Sequence, residues 1–423
     1  MNQRIFLEKK IPNGPRLILV PRKNVPSLTV LVAVPVGSRY ESDNLRGVSH
    51  FIEHLLFKGT KKRPDTLALT RELDCLGAEY NAYTAKDRTA YHLKTIKKNQ
   101  EKALDILSDM FFNPLCRKED FLKEKDVIIE EIKMYKENPL FYIDDVFEQT
   151  LYGSHSLGKM ISGEIGDIKK LSLKKLLEFK NNFYQPDKIV IVLAGNIQPN
   201  SEELIKKYFS PRKKITRKGK GFISFTKKRP CFKMKKVVKE VDQVQIALGG
   251  ISYPYNDERN YPLSLLAVIL GGYMSSRLFL KVRVEKGLAY FVRMDTNIYE
   301  DTGSFAVWAG VDKAKVKEAV KVILEEFFRV KKELITKEEI QRAKTFYEGR
   351  TKIQMENSDF LASFFAREAM FSKKILTPLE KIEKIKKVTP EQIQEVAKEL
   401  FRPDNLALSL IGPFKGKVFK NIF

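Results

Sequence analysis

The chain has 423 residues, 43% of them hydrophobic and 31% charged, more than one ordinary core encloses and suited to a globular protein of two domains. No apolar run approaches the roughly 20 residues that would span a bilayer. The first residues, Met1 to Glu8, lack the apolar stretch and cleavage site of a secretory signal, so a cytoplasmic protein with no membrane partner is expected. The formal net charge is +24, yet Lys and Glu alternate along most of the chain as on solvated helix faces. A nucleic-acid partner would need a basic stripe with base-stacking aromatics. The chain shows no such motif, so none is expected. Cys75, Cys116 and Cys231 are far apart and odd in number, with neither metal-ligand nor disulfide spacing, and read as small hydrophobes.

In chain order, residues 28–36 read as a buried strand and 48–57 as an apolar helix. A helix over 65–76 leads through Gly77 into strands near 79–84 and 88–95, followed by a helix over 100–111. The next helix, 118–137, stops before Pro139. The second half repeats the pattern: a strand at 244–250, an apolar helix over 261–270, and a helix carrying Arg277, Leu278, Phe279 and Arg283. Gly287, strands near 289–297 and 303–309, and a helix over 314–328 complete it. Gly77-Ala78-Glu79-Tyr80 lines up with Gly287-Leu288-Ala289-Tyr290. Two copies of one α+β unit account for this better than one continuous sheet. The expected boundaries are 1–210 for a first domain, 211–232 for a basic linker with Pro and Gly, and 233–423 for a second domain.

His50-Phe51-Ile52-Glu53-His54 lies on the first apolar helix. Two histidines four apart project from one face about a turn apart, and Glu53 lies beside them. At about 100° per residue, Val48, Phe51, Ile52, Leu55 and Leu56 cover the opposite side. Ordinary surface polarity is the alternative for that stripe. The order His-x-x-Glu-His inverts the common zinc-peptidase order and is the inverzincin signature. On the helix 118–137 the apolar stripe runs Phe121, Ile128, Ile132, Tyr135, with Glu124 and Glu131 at its edge and Glu130 nearly opposite. Two carboxylates turned toward an interior need a cation or donors. A bound Zn²⁺ would serve, with Glu131 as third ligand and Glu124 one step behind it. The alternative is that both pair with lysines at the helix edge.

These residues, with 76 between His54 and Glu131, resemble the pitrilysin family of zinc metallopeptidases, and its short bacterial-type members in particular. The resemblance runs over essentially the whole chain. It implies one Zn²⁺ per chain on His50, His54 and Glu131, Glu53 as general base, and Glu124 as a supporting catalytic-site carboxylate. Asn81-Ala82-Tyr83-Thr84 resembles the family's edge strand, on which substrate is laid as an added strand, making Asn81 and Ala82 substrate-binding. Arg283 and Tyr290 resemble its substrate-holding arginine–tyrosine pair. The second half carries no such motif, showing Leu265-Leu266-Ala267-Val268 at the corresponding helix. The implied fold is α+β, two homologous domains of mostly antiparallel sheet packed with helices, forming half of a clamshell.

The implied activity is zinc-dependent endopeptidase action on extended peptides or unfolded segments within an enclosed chamber. A water at the metal's open position would be activated by Glu53. A short chain implies a dimer; the intact motif favours a homodimer over pairing with a motif-lacking partner. The competing reading is a non-catalytic interaction subunit of a peptidase heterodimer. His155 sits in a loop-like segment and reads as structural.

Overall fold

The computed structural model describes residues 5–210, 221–226 and 232–414. The basic run at 212–220 and Cys231 lie outside the described residues. Among the described residues, no helix is long and apolar enough to cross a membrane.

The chain forms two compact α+β units. The first is built on β1 (Leu7–Lys10), β2 (Arg16–Pro21), β3 (Ser27–Val34), β4 (Glu79–Thr84), β5 (Thr89–Ile96) and β6 (Val190–Gly195), in the order β1-β2-β6-β3-β5-β4. Only the β2–β6 pairing is parallel. The second is built on β7 (Lys233–Val238), β8 (Gln243–Ser252), β9 (Ala289–Ile298), β10 (Gly303–Asp312) and β11 (Leu406–Gly412), in the order β7-β11-β8-β10-β9. Here only β7–β11 is parallel. Starting from β2, both sheets therefore wind in the same order, and the duplication read from the sequence is a duplication of topology.

Both faces of each sheet are covered, which is why their central strands read as continuous apolar runs. On β3, Leu28, Val30, Val32 and Val34 face one core, with α1 (Val48–Leu55), α2 (Thr66–Cys75), α3 (Gln100–Phe112) and α4 (Lys118–Glu137). Leu31 and Ala33 face the other side, against Leu361, Phe365 and Ala366 of the helix Ser358–Phe371. The two faces alternate residue by residue along the strand.

The units are not two consecutive stretches of chain. Unit 1 takes Ile353–Thr377 from the second half, and unit 2 takes Met134–Lys159 from the first. The segments are matched: α5 (Pro139–Tyr152) lays Ile143, Val146, Phe147 and Leu151 on Ala247, Trp308 and Ile411, just as Ser358–Phe371 covers the first sheet. A hydroxyl pair pins each one, Thr150 to Ser409 and Thr29 to Ser358, both at 2.8 Å. The expected halves 1–210 and 233–423 hold most of each unit, and this exchange is what a linear reading leaves out. Its cause is the outer face of each sheet, which needs an apolar helix that its own half does not supply.

The apolar helix expected over 261–270 is α-helical over Asn260–Ala267 and continues as a π-helical turn, Val268–Gly272. The segment carrying Arg283 is likewise π-helical, Phe279–Glu285. Gly77 and Gly287 both adopt positive φ, +55° and +56°, with nothing within 4 Å of an added Cβ. Glycine is required there by backbone conformation rather than by crowding.

Candidate metal centre

Helix α1 is built to present its polar stripe. It starts at Gly47, φ +82°, where a Cβ would meet the Ser162 carbonyl at 2.4 Å. The Glu41 carboxylate accepts from the Gly47 and Ser49 N–H groups at 2.7 and 2.8 Å, satisfying donors that the first turn leaves unpaired. Val48, Phe51, Ile52, Leu55 and Leu56 are all buried, as the 100° spacing predicts. Phe51 stacks on Phe121 with centroids 4.8 Å apart, which brings α4 against α1. Ile128 and Ile132 continue that contact in the core. Tyr135, expected in the same stripe, is instead exposed and packs edge-on against Phe141. Past Lys133 the helix leaves unit 1, so the stripe has no core to face.

This packing brings His50, His54 and Glu131 together. Nε2 of His54 lies 3.2 Å from Nε2 of His50, and the Glu131 carboxylate lies 3.5 Å from His54 Nε2 and 3.8 Å from His50 Nε2. Ligands 2.0–2.1 Å from a tetrahedral Zn²⁺ are separated by about 3.3 Å, so the three atoms have the spacing of one face of such a cage. Among the described residues this is the one cluster of His, Cys, Asp and Glu found close enough to hold a metal ion. Behind it, His54 Nδ1 donates to Glu124 at 2.8 Å, which leaves Nε2 with its lone pair toward the cluster. The other Glu124 oxygen meets Lys58 Nζ at 2.6 Å. The carboxylate thus both supports the histidine and pairs with a lysine, joining the two readings of Glu124. Glu130 points outward and pairs with Lys133.

The electrostatics fit a cation. Burial, with His54 adjacent, pushes the His50 imidazole down to about 3, so it is neutral and able to ligate. Burial also pulls His54 down, but Glu124 and Glu131 more than offset this and raise it. Burial raises the Glu131 and Glu53 carboxyls, with His54 and Thr84 respectively opposing the shift. Glu124 is held low by His54 and Lys58 against the effect of burial. Three carboxylates, Glu53, Glu124 and Glu131, thus gather around the two histidines, with the Lys58 ammonium paired to Glu124.

Glu53 stands beside the cluster, and its Oε2 accepts a short hydrogen bond from the Thr84 hydroxyl. Thr84 ends β4, the last strand of its sheet, paired on one side by β5. Asn81 is exposed there, its Oδ1 accepting from the Ala82 N–H at 2.8 Å, and Ala82 packs against the core. Arg283 and Tyr290 belong to unit 2. The guanidinium lies 5.6 Å from the Tyr290 ring centre and 4.9 Å from that of Phe279, with Tyr290 71% exposed. His155 caps a short turn, its Nδ1 accepting from the Leu157 N–H at 3.2 Å. The sequence reading missed Glu41, Lys58 and Thr84. Lys58 was detectable four residues after His54 and Thr84 two after Ala82, but Glu41 acts through a loop and left no periodic signal.

Residues 17–164 match the family model for insulinase, peptidase family M16, and residues 170–347 match that for the peptidase M16 inactive domain. The chain belongs to this family, the pitrilysin family, with one motif-bearing and one motif-free copy of its unit. It is 33% identical to an uncharacterized zinc protease of Bacillus subtilis, YmxG, across 95% of this chain and 97% of that protein. It is 30% identical to an uncharacterized zinc protease of Streptomyces coelicolor across 96% and 89%. Among solved structures, the fold matches that of a protease from Helicobacter pylori with a TM-score of 0.89 at 24% identity, covering 96% of this chain and 99% of that one. It also matches a peptidase M16 inactive domain from Pseudomonas fluorescens with a TM-score of 0.89 at 18% identity, covering 97% and 98%.

Proposed function

We propose that this protein is a zinc-dependent endopeptidase that cleaves extended peptides or unfolded polypeptide segments. The observation that carries the reading is the convergence of His50, His54 and Glu131 at 3.2–3.8 Å, with Glu53 alongside. The zinc-protease names of the relatives support it. His50 Nε2, His54 Nε2 and a Glu131 oxygen would hold one Zn²⁺ per chain, and Glu124 orients His54. Bound there, Zn²⁺ supplies a Lewis acid that polarises the scissile carbonyl and eases deprotonation of water. Glu53 takes the proton of the attacking water on the oxygen not engaged by Thr84 and delivers it to the leaving amine. The free edge of β4, with Asn81 and Ala82, receives the substrate backbone as an added strand. Arg283 and Tyr290 act as substrate-binding residues of the second unit. Selectivity then depends on the length and flexibility of the peptide as well as on its side chains. The active form is a cytoplasmic homodimer.

Zinc analysis coupled to cleavage of a mixed peptide library, with and without a chelator, tests this. One zinc per chain and chelator-sensitive cleavage are expected. Glu53→Gln should keep the zinc and lower the cleavage rate by about 10²–10⁴-fold, the range of general acid–base catalysis. A metal-free protein, or a fully active Glu53→Gln variant, overturns it.

A further inference from the structure

The carboxylate of Glu53 has two oxygens, and its terminal torsion is broad and roughly two-fold, so an unrestrained side chain offers either oxygen in a range of orientations. One donor removes this freedom: the Thr84 hydroxyl, on Oε2. Alternation along β4 places Tyr80, Ala82 and Thr84 on one face. Tyr80 and Ala82 pack there against the core that also holds the apolar side of α1, whereas Tyr83 packs on the opposite core. Thr84 is thus set at the strand's end where that face meets the helix. Its backbone is fixed by the register to Thr89 of β5.

From this geometry we infer that Thr84 is a positioning residue, which locks the base Glu53 with Oε1 presented to the reacting water. The inference rests on the peptidase reading above. It has a structural consequence. β4 is bonded on one side by β5, and its other edge is the one proposed to receive the peptide. The strand that takes up the substrate is then also the strand that orients the base, so a peptide bound in register stiffens the catalytic carboxylate. The hydroxyl itself takes up no proton and touches no reacting atom.

Two substitutions separate this role from packing. Thr84→Val keeps the β-branched shape that suits a strand and removes the hydroxyl; Thr84→Ser keeps the hydroxyl and removes the methyl. With peptide substrate and the zinc-loaded protein, Thr84→Val should lower kcat about 10-fold, the size of one hydrogen bond to a charged group, with KM changed less than about 2-fold. Zinc affinity, measured by competition with a chromogenic chelator, should be unchanged, and Thr84→Ser should recover kcat to within about 3-fold. An unchanged kcat in Thr84→Val, a Thr84→Ser loss as large as that of Val, or a zinc affinity falling in step with kcat each overturns the assignment. If the unmodified protein cleaves no peptide, the peptidase reading falls and this inference with it. If the unmodified protein cleaves, Glu53→Gln does not, and Thr84→Val is as fast as the unmodified protein, only the role of Thr84 is lost.

Discussion

The two units wind their sheets in one order, yet among the described residues only the first gathers side chains close enough to hold a metal ion. In unit 1 the helix after β3 buries Val48, Phe51, Ile52 and Leu55 and leaves His50, Glu53 and His54 on its far side. In unit 2 the helix after β8 is Asn260–Ala267, where Leu263, Leu265 and Leu266 are all buried and the C-terminal end gives way to a π-helical turn. A helix with a polar stripe can serve chemistry, whereas one that is apolar on most sides serves only packing. The comparison teaches that this fold tolerates either helix, and that the candidate site is a matter of three side chains and their supports rather than of topology. The units also handle charge differently. Unit 1 encloses Arg63 among Glu72, Asp105 and Asp109. Unit 2 clamps Arg277 on Glu339 through two bonds of 2.7 and 2.9 Å.

The strongest way to break this contrast is to remove the third ligand. Glu131→Gln should weaken zinc binding by more than the roughly 10–100-fold typical of a supporting residue, measured by competition against a chelator. The stoichiometry of the unmodified protein should be one zinc per chain; two would mean that unit 2 binds metal as well and would end the contrast.

The exchanged helices give the next test, because they are the feature in which the units are most alike. Phe147 and Phe365 are buried at matching places on the outer faces of the two sheets. Phe147→Ala and Phe365→Ala should each destabilise its own unit by about 3–5 kcal/mol. Trp308, the single tryptophan, lies 5.4 Å from Phe147 and reports unit 2. Its fluorescence transition in denaturant should shift strongly for Phe147→Ala. A cost below about 1 kcal/mol for either would show that its helix is dispensable to the sheet it covers.

The smallest effect concerns pH. Burial works against ionisation of Glu339, yet the Arg277 guanidinium and the Thr336 N–H hold its carboxyl down to about 2. Because the folded value lies below the ordinary one, the stabilisation is present above about pH 4.5 and is lost as pH falls toward 2. Glu339→Gln should remove on the order of 2 kcal/mol from unit 2 at neutral pH and flatten its acid dependence, read from Trp308 fluorescence. An unaltered acid limb would show that Arg277 and Glu339 are no more than a surface pair.

Much of this architecture is legible in the linear chain. Periodicity marks local amphipathicity, so β4 and α4 fall where the pattern puts them, and the burial of Val48, Phe51, Ile52, Leu55 and Leu56 follows from a 100° step. His50, Glu53 and His54 could be read because five residues on one helix fix their own geometry. Glu131 could be read because a carboxylate at the edge of an apolar stripe requires a partner. What periodicity carries no information about is which distant segment fills an apolar face. The crossing of Ser358–Phe371 to the first sheet and of α5 to the second is decided by the sheets' uncovered faces, and Tyr135 turns outward because α4 has left its core by then. The supports of the centre are of the same kind. Lys58 on Glu124, Glu41 on the first turn of α1 and Thr84 on Glu53 are isolated polar contacts, the last joining β4 to α1. The sequence by itself determined the duplicated α+β units and the residue types of a metal centre, because both depend on short-range pattern. Only the tertiary structure decided the exchange of helices and the hydrogen bonds that hold His54 and Glu53 in place, because those depend on which surfaces meet.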